Sequence, residues 1–248
     1  MVAGIFSTDS LRTFLHRFRY TPFHPQWFAY RYERQRYEEA GRLAGGRVLD
    51  IGCGRQPLRA YLHSACTYFG LDYPQTGEAL YEARPNVFGD AHGLPFIDGA
   101  FDTVVLLEVL EHPSEPETAI REARRVLARG GVLIISTPFL YPIHDAPGDF
   151  RRWTRHGIER LVQSSGFVVQ QSRAQGSPVE CGILLLNLSL AWQTLHTNAL
   201  ARLPLMLLSV IAIPLLNLLG AFVSVLCKKP DESPFAIGYL LLVKDPLL

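Results

Sequence analysis

Two glycines and a nearby aspartate are spaced so that they could bind a nucleoside. The segment Val48–Gly54 runs from a β-branched and aliphatic stretch into Gly52 and Gly54. Glycines at a strand-to-helix turn let the backbone approach a ligand closely, because no Cβ stands in the way. Asp72 follows about 20 residues later, where a carboxylate at the end of the next strand accepts hydrogen bonds from ribose hydroxyls. The pattern predicts a nucleoside cofactor.

A dinucleotide is the alternative ligand for the same turn. Its usual fingerprint has a third glycine near position 57 and no acid at the end of the strand. This sequence has Arg55-Gln56-Pro57 instead, and Asp50 lies inside the strand end. An NAD-dependent oxidoreductase is therefore the second enzyme hypothesis. A non-catalytic, membrane-associated nucleoside-binding protein is the alternative from a different class.

A polar and aromatic loop, Thr137–Thr154, contains the candidate catalytic residues. His144 is the first candidate for a general base, because an imidazole titrates near neutrality and can accept a hydroxyl proton. Asp149 is its neighbour in the loop, and His112 is a second candidate base. The alternative interpretation is structural: His144 and Asp149 bind loop backbone while an adjacent arginine pairs with an acid.

Short apolar runs alternate with helical patterns after Gly45-Gly46, which is typical of βαβ units and a parallel sheet. Helices are predicted near 57–64, 78–83, 114–128 and 154–165, the third beginning at Ser114 and ending at Gly130-Gly131. The predicted strands are Arg47–Ile51, Tyr68–Asp72, Asn86–Gly89, Phe101–Leu107, Gly131–Thr137, Phe167–Ala174 and Phe235–Lys244.

Five motifs occur in order along these elements and resemble those of class I S-adenosylmethionine-dependent methyltransferases, in the broad branch that contains ubiquinone and menaquinone methyltransferases. They are Val48–Gly54, Gly70-Leu71-Asp72, Gly89-Asp90-Ala91 with Leu94-Pro95-Phe96, Phe101-Asp102 with Glu108–His112, and Arg125–Gly131. The resemblance covers about 47–176 and the final strand.

The resemblance implies S-adenosyl-L-methionine as the cofactor and a position for each part of it. It implies that Asp50, Gly52 and Gly54 surround the methionine portion, that Asp72 binds the ribose, that Asp90 and the Ala91 backbone bind the adenine, and that Glu108 lies beside the methionine end. Gln56 stands where many relatives have another glycine, so the shape of the turn is open.

The loop Thr137–Thr154 is similar to the P-x-H-x-x-P-x-D-F-x-R-x-T pattern of a methyltransferase subgroup often associated with cell-surface glycan or lipid modification. Gly148 is the residue between Pro147 and Asp149 in this chain. The resemblance implies O-methylation of a small-molecule, lipid or lipid-linked glycan acceptor.

Charge and cysteine content narrow the partners. The formal net charge of +1 gives no overall signal for nucleic acid. The four cysteines form no CxxC pair and no Cys/His cluster at zinc spacing, so neither a disulfide framework nor a metal site is predicted. The amino terminus lacks the features of a secretory signal, and a cytoplasmic location is expected.

An apolar region precedes the last predicted strand. Between Glu180 and Lys228 the only formal charge is Arg202, and residues 203–227 are 25 uncharged, mostly apolar residues. A single membrane crossing would separate the last strand from its sheet, so it is excluded. We expect a monotopic or re-entrant attachment to the inner face of the membrane, with breaks at Pro204 and Pro214 and an amphipathic helix at 181–201. A soluble insertion or dimer interface, and a two-crossing hairpin, are the alternatives.

The sequence thus predicts an α/β fold: a Rossmann-like, doubly wound, mostly parallel seven-stranded sheet with a helical hydrophobic insertion before the last strand. Residues 1–44 are expected to form a lid or interfacial anchor, because arginines and aromatics alternate there. The cofactor-binding core is 45–176, the insertion is 177–232, and the final strand lies in 233–248. The acceptor's identity and the oligomeric state stay open.

Overall fold

The structure, a computed structural model, describes residues 17–77, 83–227 and 233–246. The chain divides into two compact units. One comprises Met1–Arg34 with Gly176–Ala236, and the other comprises Gln35–Gln175 with Ile237–Leu248. The second unit contains the sheet, and the first contains a pair of long helices.

Seven strands form one mixed sheet in the order β3-β2-β1-β4-β5-β7-β6. Strands β1 to β5 pair in parallel, and β7 lies antiparallel between β5 and β6. The predicted Rossmann-like fold is confirmed. The strands are β1 Arg47–Ile51, β2 Thr67–Asp72, β3 Val87–Phe88, β4 Phe101–Leu107, β5 Leu127–Pro138, β6 Val168–Gln175 and β7 Gly238–Lys244.

Five longer helices accompany the strands, with two short ones between β1 and β3. Residues 78–82 of the helix predicted at 78–83 lie outside the described residues. The helices are α1 Trp27–Leu43, α2 Pro116–Val126, α3 Arg155–Ser164, α4 Pro178–His196 and α5 Ala199–Leu226, with a 3₁₀ helix at Pro57–Tyr61 and one turn at Pro74–Thr76.

The central strands are buried on both faces, as expected for a parallel sheet covered by helices. Val48, Val105 and Ile134 have no exposed surface, and they form one core cluster with Ala40 of α1 and Leu58 of the 3₁₀ helix. The carboxyl ends of β1, β2 and β4 therefore rest on a rigid base. Residues that follow those ends are held in place by the core beneath them.

Helix α2 is shorter than predicted at both ends. It begins at Pro116, whose ring suits the first helical position, and Glu115 occupies the N-cap position without a side-chain cap. Ser114 is therefore not the cap. The helix ends at Val126 because the chain passes directly into β5, so the glycine pair at 130–131 lies within the strand and does not stop the helix.

In the helical unit, α4 and α5 pack as a hairpin in which polar side chains pair at matched positions. Asn187 Nδ2 donates to Asn217 Oδ1 over 2.9 Å, and Thr194 and Ser209 hydroxyls lie 3.1 Å apart. The Ser177 and Ser224 hydroxyls also bond. These pairs set the register of the two antiparallel helices, since each buried polar group needs its partner.

Two expectations for this segment were wrong. Pro204 and Pro214 do not break the helix: α5 is continuous through both, with Asn198 Oδ1 accepting the Ala201 N–H as an N-cap. The fold-back occurs at Thr197 and Asn198 instead. Packing against α4 along most of α5 outweighs the loss of one main-chain donor at each proline.

The amphipathic helix predicted at 181–201 has a stripe of apolar residues at helical spacing, and this stripe is not the buried face of α4. It comprises Leu184, Leu188, Trp192, Leu195 and Ala199. Leu184 is fully buried, but Trp192 and Leu195 are 59% and 49% exposed. The buried positions, besides Leu184, include Cys181, Ile183 and Asn187. The helix turns a polar residue inward and leaves apolar residues outside, which is the reverse of a helix that faces water.

The Asn187–Asn217 pair gives the first testable prediction. Asn217 Nδ2 also donates to the carbonyls of Pro22 (2.7 Å) and His24 (3.1 Å). Asn217→Ala leaves these groups unpaired, so we expect the free energy of unfolding to fall by about 1–3 kcal/mol. Urea unfolding in mild detergent measures it. Gln193→Ala, on the exposed face of α4, is the amide control and should change stability by less than about 0.5 kcal/mol.

Candidate active site

The turn after β1 is held against the end of β2 by backbone hydrogen bonds. The N–H groups of Gly52 and Cys53 both donate to the Leu71 carbonyl, over 2.8 and 3.1 Å. Gly52 has a φ of +74°, and a Cβ there would lie 2.5 Å from Val109 Cγ2. Glycine is required on both counts. Gln56 adopts the left-handed conformation (φ 60°) that a glycine would supply, so the turn keeps its shape despite the departure.

Asp72 lies at the end of β2 and closes the turn from the other side. Its Oδ2 accepts the Gly54 N–H over 2.6 Å, and its Oδ1 accepts the Tyr73 N–H over 2.8 Å. Burial raises the pKa of this carboxyl, and those two hydrogen bonds oppose the rise. Each carboxylate oxygen has a second lone pair, so Asp72 can accept further hydrogen bonds from ribose hydroxyls.

Asp90 and Ala91 follow β3, next to the end of β2. The Gly89 N–H donates to the Asp72 carbonyl over 2.9 Å, which places the start of this loop beside Asp72. The Asp90 side chain is half exposed, and its Oδ1 accepts from the backbone N–H of His92 over 2.9 Å. The carboxylate thus closes a local turn, and its exposure leaves it accessible to an adenine amine.

Asp50 is placed differently from the other two aspartates. It is 4% exposed on β1, and its Oδ2 accepts the Tyr68 hydroxyl over 2.7 Å. Burial, the largest cause, raises the pKa of Asp50 to about 7, with a smaller contribution from the charge of Asp72. Burial also raises the pKa of the Cys53 thiol to about 12. Asp50 is thus buried within the sheet and bonded to the neighbouring strand β2.

Glu108 follows β4 in a strained backbone conformation. Its φ is 57°, where non-glycine residues are uncommon outside functional sites. Its Oε1 accepts the Ser136 hydroxyl over 2.8 Å, and its Oε2 lies 3.8 Å from Arg36 Nη2. Sequence reasoning gave no role to Arg36 or Ser136, because their partner Glu108 is distant along the chain.

The loop after β5 docks on the segment that follows β4. Phe150 N–H donates to the Glu111 carbonyl over 3.0 Å, and Trp153 Nε1 donates to the Leu110 carbonyl over 3.1 Å. Arg151 binds the carbonyls of Pro113 and Ser114. The two segments that contain the candidate catalytic histidines are therefore brought together.

Within this loop His144 and Asp149 form a pair supported by Arg152. His144 Nδ1 lies 3.2 Å from Asp149 Oδ2, and the His144 N–H donates to the same oxygen over 2.9 Å. Arg152 binds both oxygens of Asp149 over 2.6 Å. Burial raises the pKa of Asp149, but these hydrogen bonds outweigh it and the pKa is lowered overall. Asp149 is thus an anion beside His144.

His112, the second candidate base, reaches the same place from the segment after β4. Its Nδ1 lies 2.8 Å from the Gly148 carbonyl, and its ring packs edge to face on that of His144 with centroids 5.5 Å apart. The structure brings together all three predicted catalytic residues. His112 is 32 positions from His144 in the sequence, whereas Asp149 is 5 positions from it.

Glu111 is the residue of this group that sequence reasoning missed. It has no exposed surface, and neither carboxylate oxygen has a hydrogen-bond partner among the described residues. Burial raises its pKa well above the ordinary range, and the charges of Glu108 and Asp149 add to the rise. Nothing local in the sequence marks Glu111 apart from its place beside His112 in the Glu108–His112 motif.

The matching family model describes a methyltransferase domain and covers residues 49–135. These residues include the glycine turn, Asp72, Asp90 and Glu108. The chain carries a class I S-adenosylmethionine-dependent methyltransferase domain. S-adenosyl-L-methionine is the cofactor of such domains, and the residues present fit it: nothing lies within 4 Å of a Cβ built at Gly54, and Asp72 keeps acceptor capacity for a ribose.

Curated relatives agree on this domain. One from Mycolicibacterium smegmatis, named as a probable S-adenosylmethionine-dependent methyltransferase, is 32% identical over 59% of this chain and 61% of its own length. A ubiquinone biosynthesis O-methyltransferase from Pseudomonas aeruginosa is 33% identical over 40% of this chain and 47% of its own length. A phthiotriol/phenolphthiotriol dimycocerosates methyltransferase from Mycobacterium ulcerans is 37% identical over 37% of this chain and 37% of its own length. The chain spans about 60% or less of the length of these relatives.

Solved structures share the fold. The [4+2]-cyclase SpnF is 22% identical, covers 87% of this chain and 82% of its own, and gives a TM-score of 0.54. An S-adenosylmethionine-dependent methyltransferase from Thermotoga maritima is 15% identical and gives a TM-score of 0.51. The match covers 96% of this chain and 95% of the methyltransferase. At these identities the likeness concerns the fold alone.

The raised pKa of Asp50 predicts a pH-dependent stability. An unfolded aspartate titrates near 4, whereas Asp50 titrates near 7 in the fold. Between these values the native state binds more protons, so stability falls as pH rises, by at most about 1.4 kcal/mol per pH unit. Asp50→Asn removes this dependence. In thermal unfolding from pH 5 to pH 8, the Tm of the variant should rise relative to that of the wild-type protein as the pH increases. A difference in Tm that does not change with pH would contradict the assignment.

Proposed function

We propose that the chain is an O-methyltransferase that uses S-adenosyl-L-methionine and acts on a small-molecule, lipid or lipid-linked glycan acceptor at a membrane surface. The observation that carries the proposal is the group formed by His112, His144 and Asp149 beside the segment that follows Glu108. An NAD-dependent oxidoreductase and a non-catalytic nucleoside-binding protein are not favoured, because the family model and the curated relatives indicate methyl transfer.

Methyl transfer from a sulfonium is an in-line displacement, and the cofactor supplies the activated methyl group. The protein then has two tasks: to align the acceptor oxygen and to accept its proton. The turn at Gly52 would surround the methionine portion, Asp72 and Asp90 would hold the adenosine, and Glu108 would lie beside the methionine end. The acceptor would enter from the side of the Thr137–Thr154 loop.

His144 is the group that we assign to proton transfer from a hydroxyl acceptor. Its Nδ1 faces the anionic Asp149, which favours the tautomer with the proton on Nδ1. The Nε2 atom is then a lone-pair acceptor. A histidine held in this way by a carboxylate is the usual arrangement of a general base.

The helical hairpin supports a membrane location. Helix α5 is long and apolar enough to cross a bilayer by length and composition, and 22% of its most apolar window is buried. Large apolar side chains cover its outer surface, far more than a soluble monomer usually exposes. Among them are Leu203, Leu207, Val210, Ile211, Leu215, Leu218, Leu219, Phe222, Val225 and Leu226, each more than half exposed.

The exposed apolar surface of α5 suits contact with the hydrocarbon core of a lipid bilayer. The outer residues are aliphatic or aromatic, while the polar side chains of the hairpin pair with one another inside it, as expected for helices in lipid. Both ends of the hairpin continue into strands of one sheet, which requires them to emerge on the same side of a bilayer. We therefore propose a monotopic attachment at the inner face of the membrane, with the catalytic core in the cytoplasm.

The names of two relatives fit an acceptor drawn from such a membrane. One is named for O-methylation in ubiquinone biosynthesis and the other for phthiotriol and phenolphthiotriol dimycocerosates. Attachment at a membrane would keep the enzyme at the phase that contains a lipid-soluble acceptor. The acceptor class is therefore proposed to be lipid-soluble or lipid-linked.

The assignment of His144 predicts a large and specific loss of activity. His144→Asn should lower methyl transfer by about 10²-fold or more, because the acceptor proton then has no base. Transfer from radiolabelled cofactor to total membrane lipid extract measures it, with S-adenosylhomocysteine affinity unchanged. His156→Asn, at a 90% exposed side chain, is the control and should retain activity. Equal activity in both variants would remove His144 from the mechanism.

The proposed attachment predicts a loss of membrane binding when the outer face of α5 becomes polar. Leu218→Ser with Phe222→Ser should shift the protein from the liposome fraction to the soluble fraction in flotation with phosphatidylglycerol and phosphatidylethanolamine vesicles. Ile97→Ser, at an 80% exposed apolar side chain of the sheet unit, is the matched control and should float like the wild-type protein. Undiminished flotation of the double variant would rule out this surface.

A further inference from the structure

We propose that Glu111, His112 and His144 form a binding site for one divalent transition-metal ion. Each offers one ligand atom, and the three atoms lie within 4.8 Å of one another. The inference deepens the proposed function, because His144 and His112 belong to the proposed acceptor site. In the presence of the ion His144 Nε2 would be a ligand and not the general base: the metal would bind the acceptor hydroxyl and lower its pKa, so that its proton leaves to solvent before methyl transfer.

The first observation is the state of Glu111. The side chain is fully buried, and neither of its oxygens has a hydrogen-bond partner among the described residues. A buried carboxylate without compensation costs several kcal/mol, so such groups are paired, protonated or bound to a metal. The nearest basic atoms are His112 Nε2 and His144 Nε2, each 3.8 Å from Glu111 Oε1. That distance is too long for a hydrogen bond.

The second observation is the orientation of the two imidazoles. His112 Nδ1 lies 2.8 Å from the Gly148 carbonyl, so this nitrogen carries a proton and donates it. His144 Nδ1 lies 3.2 Å from Asp149 Oδ2 and 3.4 Å from the Pro142 carbonyl, both acceptors. Each ring therefore presents an unprotonated Nε2 toward Glu111. Histidine ligands of metals are held in this way, with the second nitrogen donating to a carbonyl or carboxylate.

Arg152 is the cation nearest to this cluster, and its hydrogens are already used. Its Nη2 lies 3.3 Å from His144 Nδ1, but it donates to Asp149 Oδ2 and to the Pro142 carbonyl over 2.6 and 2.7 Å. The guanidinium therefore binds Asp149 and loop carbonyls, while the oxygens of Glu111 face the two imidazoles. A cation between the three side chains would pair with Glu111 directly.

The ligand set indicates the class of ion. Two imidazole nitrogens and one carboxylate oxygen suit zinc, iron, cobalt or manganese better than calcium or magnesium. Ligands at about 2.1 Å from a tetrahedral ion lie about 3.4 Å apart. The two distances from Glu111 Oε1 are 3.8 Å, and all three ligand atoms lie within 4.8 Å of one another, so metal binding requires the side chains to close in. The histidine side chains are 31% and 28% exposed, which leaves a path for an ion and a free position for an acceptor oxygen.

Spacing along the chain does not reveal this site. The cysteines and histidines match no zinc motif, which is why the sequence predicts no metal. The ligands come instead from two segments, the one after β4 and the loop after β5, which are brought together by the docking of Phe150 and Trp153. Such a site becomes visible only when the two segments are folded.

Calorimetry on the full chain, without an affinity tag and dialysed against EDTA and then buffer, tests the inference. We expect one Zn²⁺ per chain, and one Co²⁺ whose visible absorption reports nitrogen and oxygen ligands. Glu111→Gln and His144→Asn should each weaken Zn²⁺ binding by at least about 10-fold. His156→Asn should bind like the wild-type protein, and thermal unfolding identifies any variant that does not fold. Asp149→Asn should weaken binding by about 10-fold to 100-fold through the orientation of His144.

Absence of stoichiometric Zn²⁺ and Co²⁺ binding by the wild-type protein, or equal binding by folded Glu111→Gln, would overturn the site. Methyl transfer assayed with EDTA separates this outcome from the proposed function. Activity that persists without metal binding rejects the cation site and leaves the methyltransferase intact. Stoichiometric binding without transfer to any lipid acceptor supports the site and counts against the proposed acceptor class.

Discussion

The candidate cofactor site depends on one set of hydrogen bonds that joins the ends of two neighbouring strands. The Leu71 carbonyl accepts the N–H groups of Gly52 and Cys53, and the Asp72 carboxylate accepts that of Gly54. These bonds set the shape of the turn, and they also hold Asp72 in place. The turn fits only because Gly52 lacks a Cβ that would contact Val109. The core beneath β1 and β2 prevents this arrangement from relaxing.

The proposed acceptor site depends on a second interaction, the pairing of charges away from water. Asp149 is neutralised by Arg152 and faces His144, whereas Glu111 is buried beside two imidazoles without a hydrogen bond. Each buried charge in such a group must be paired with an opposite charge or neutralised by a proton, since an unpaired charge costs much free energy in a low dielectric. The strained φ of Glu108 nearby is consistent with a site shaped for a ligand rather than for stability.

The sequence predicted the elements whose signals are local. The glycine turn and the limits of β1 and β4 follow from hydrophobic runs and turn residues, and the structure reproduces both strands to the residue. Other features depend on contacts between distant segments. Helix α5 continues through its prolines because α4 packs along it, and the Asn187–Asn217 pair explains why a polar residue faces inward. No periodicity in a single segment contains that information.

The same distinction between local signals and contacts of distant segments applies to the residues of the candidate site. Asp72 could be predicted because its place at a strand end fixes where its carboxylate lies, whereas the environment of Asp50 could not, since it depends on Tyr68 from the next strand. Glu111 had no signal of its own, because its significance comes from lying opposite His144 in the folded chain. Residue type predicted the chemistry, and tertiary packing determined which residues share it.

The central claim is that the strand ends around Gly52 and Asp72 bind the adenosine of the cofactor. A crystal structure of the complex with S-adenosylhomocysteine tests it most directly. We expect the ribose hydroxyls within hydrogen-bond distance of the Asp72 carboxylate, about 2.5–3.0 Å, with the backbone of Gly52 against the ligand. A ribose bound away from Asp72, or a ligand at another face of the sheet, would contradict the account.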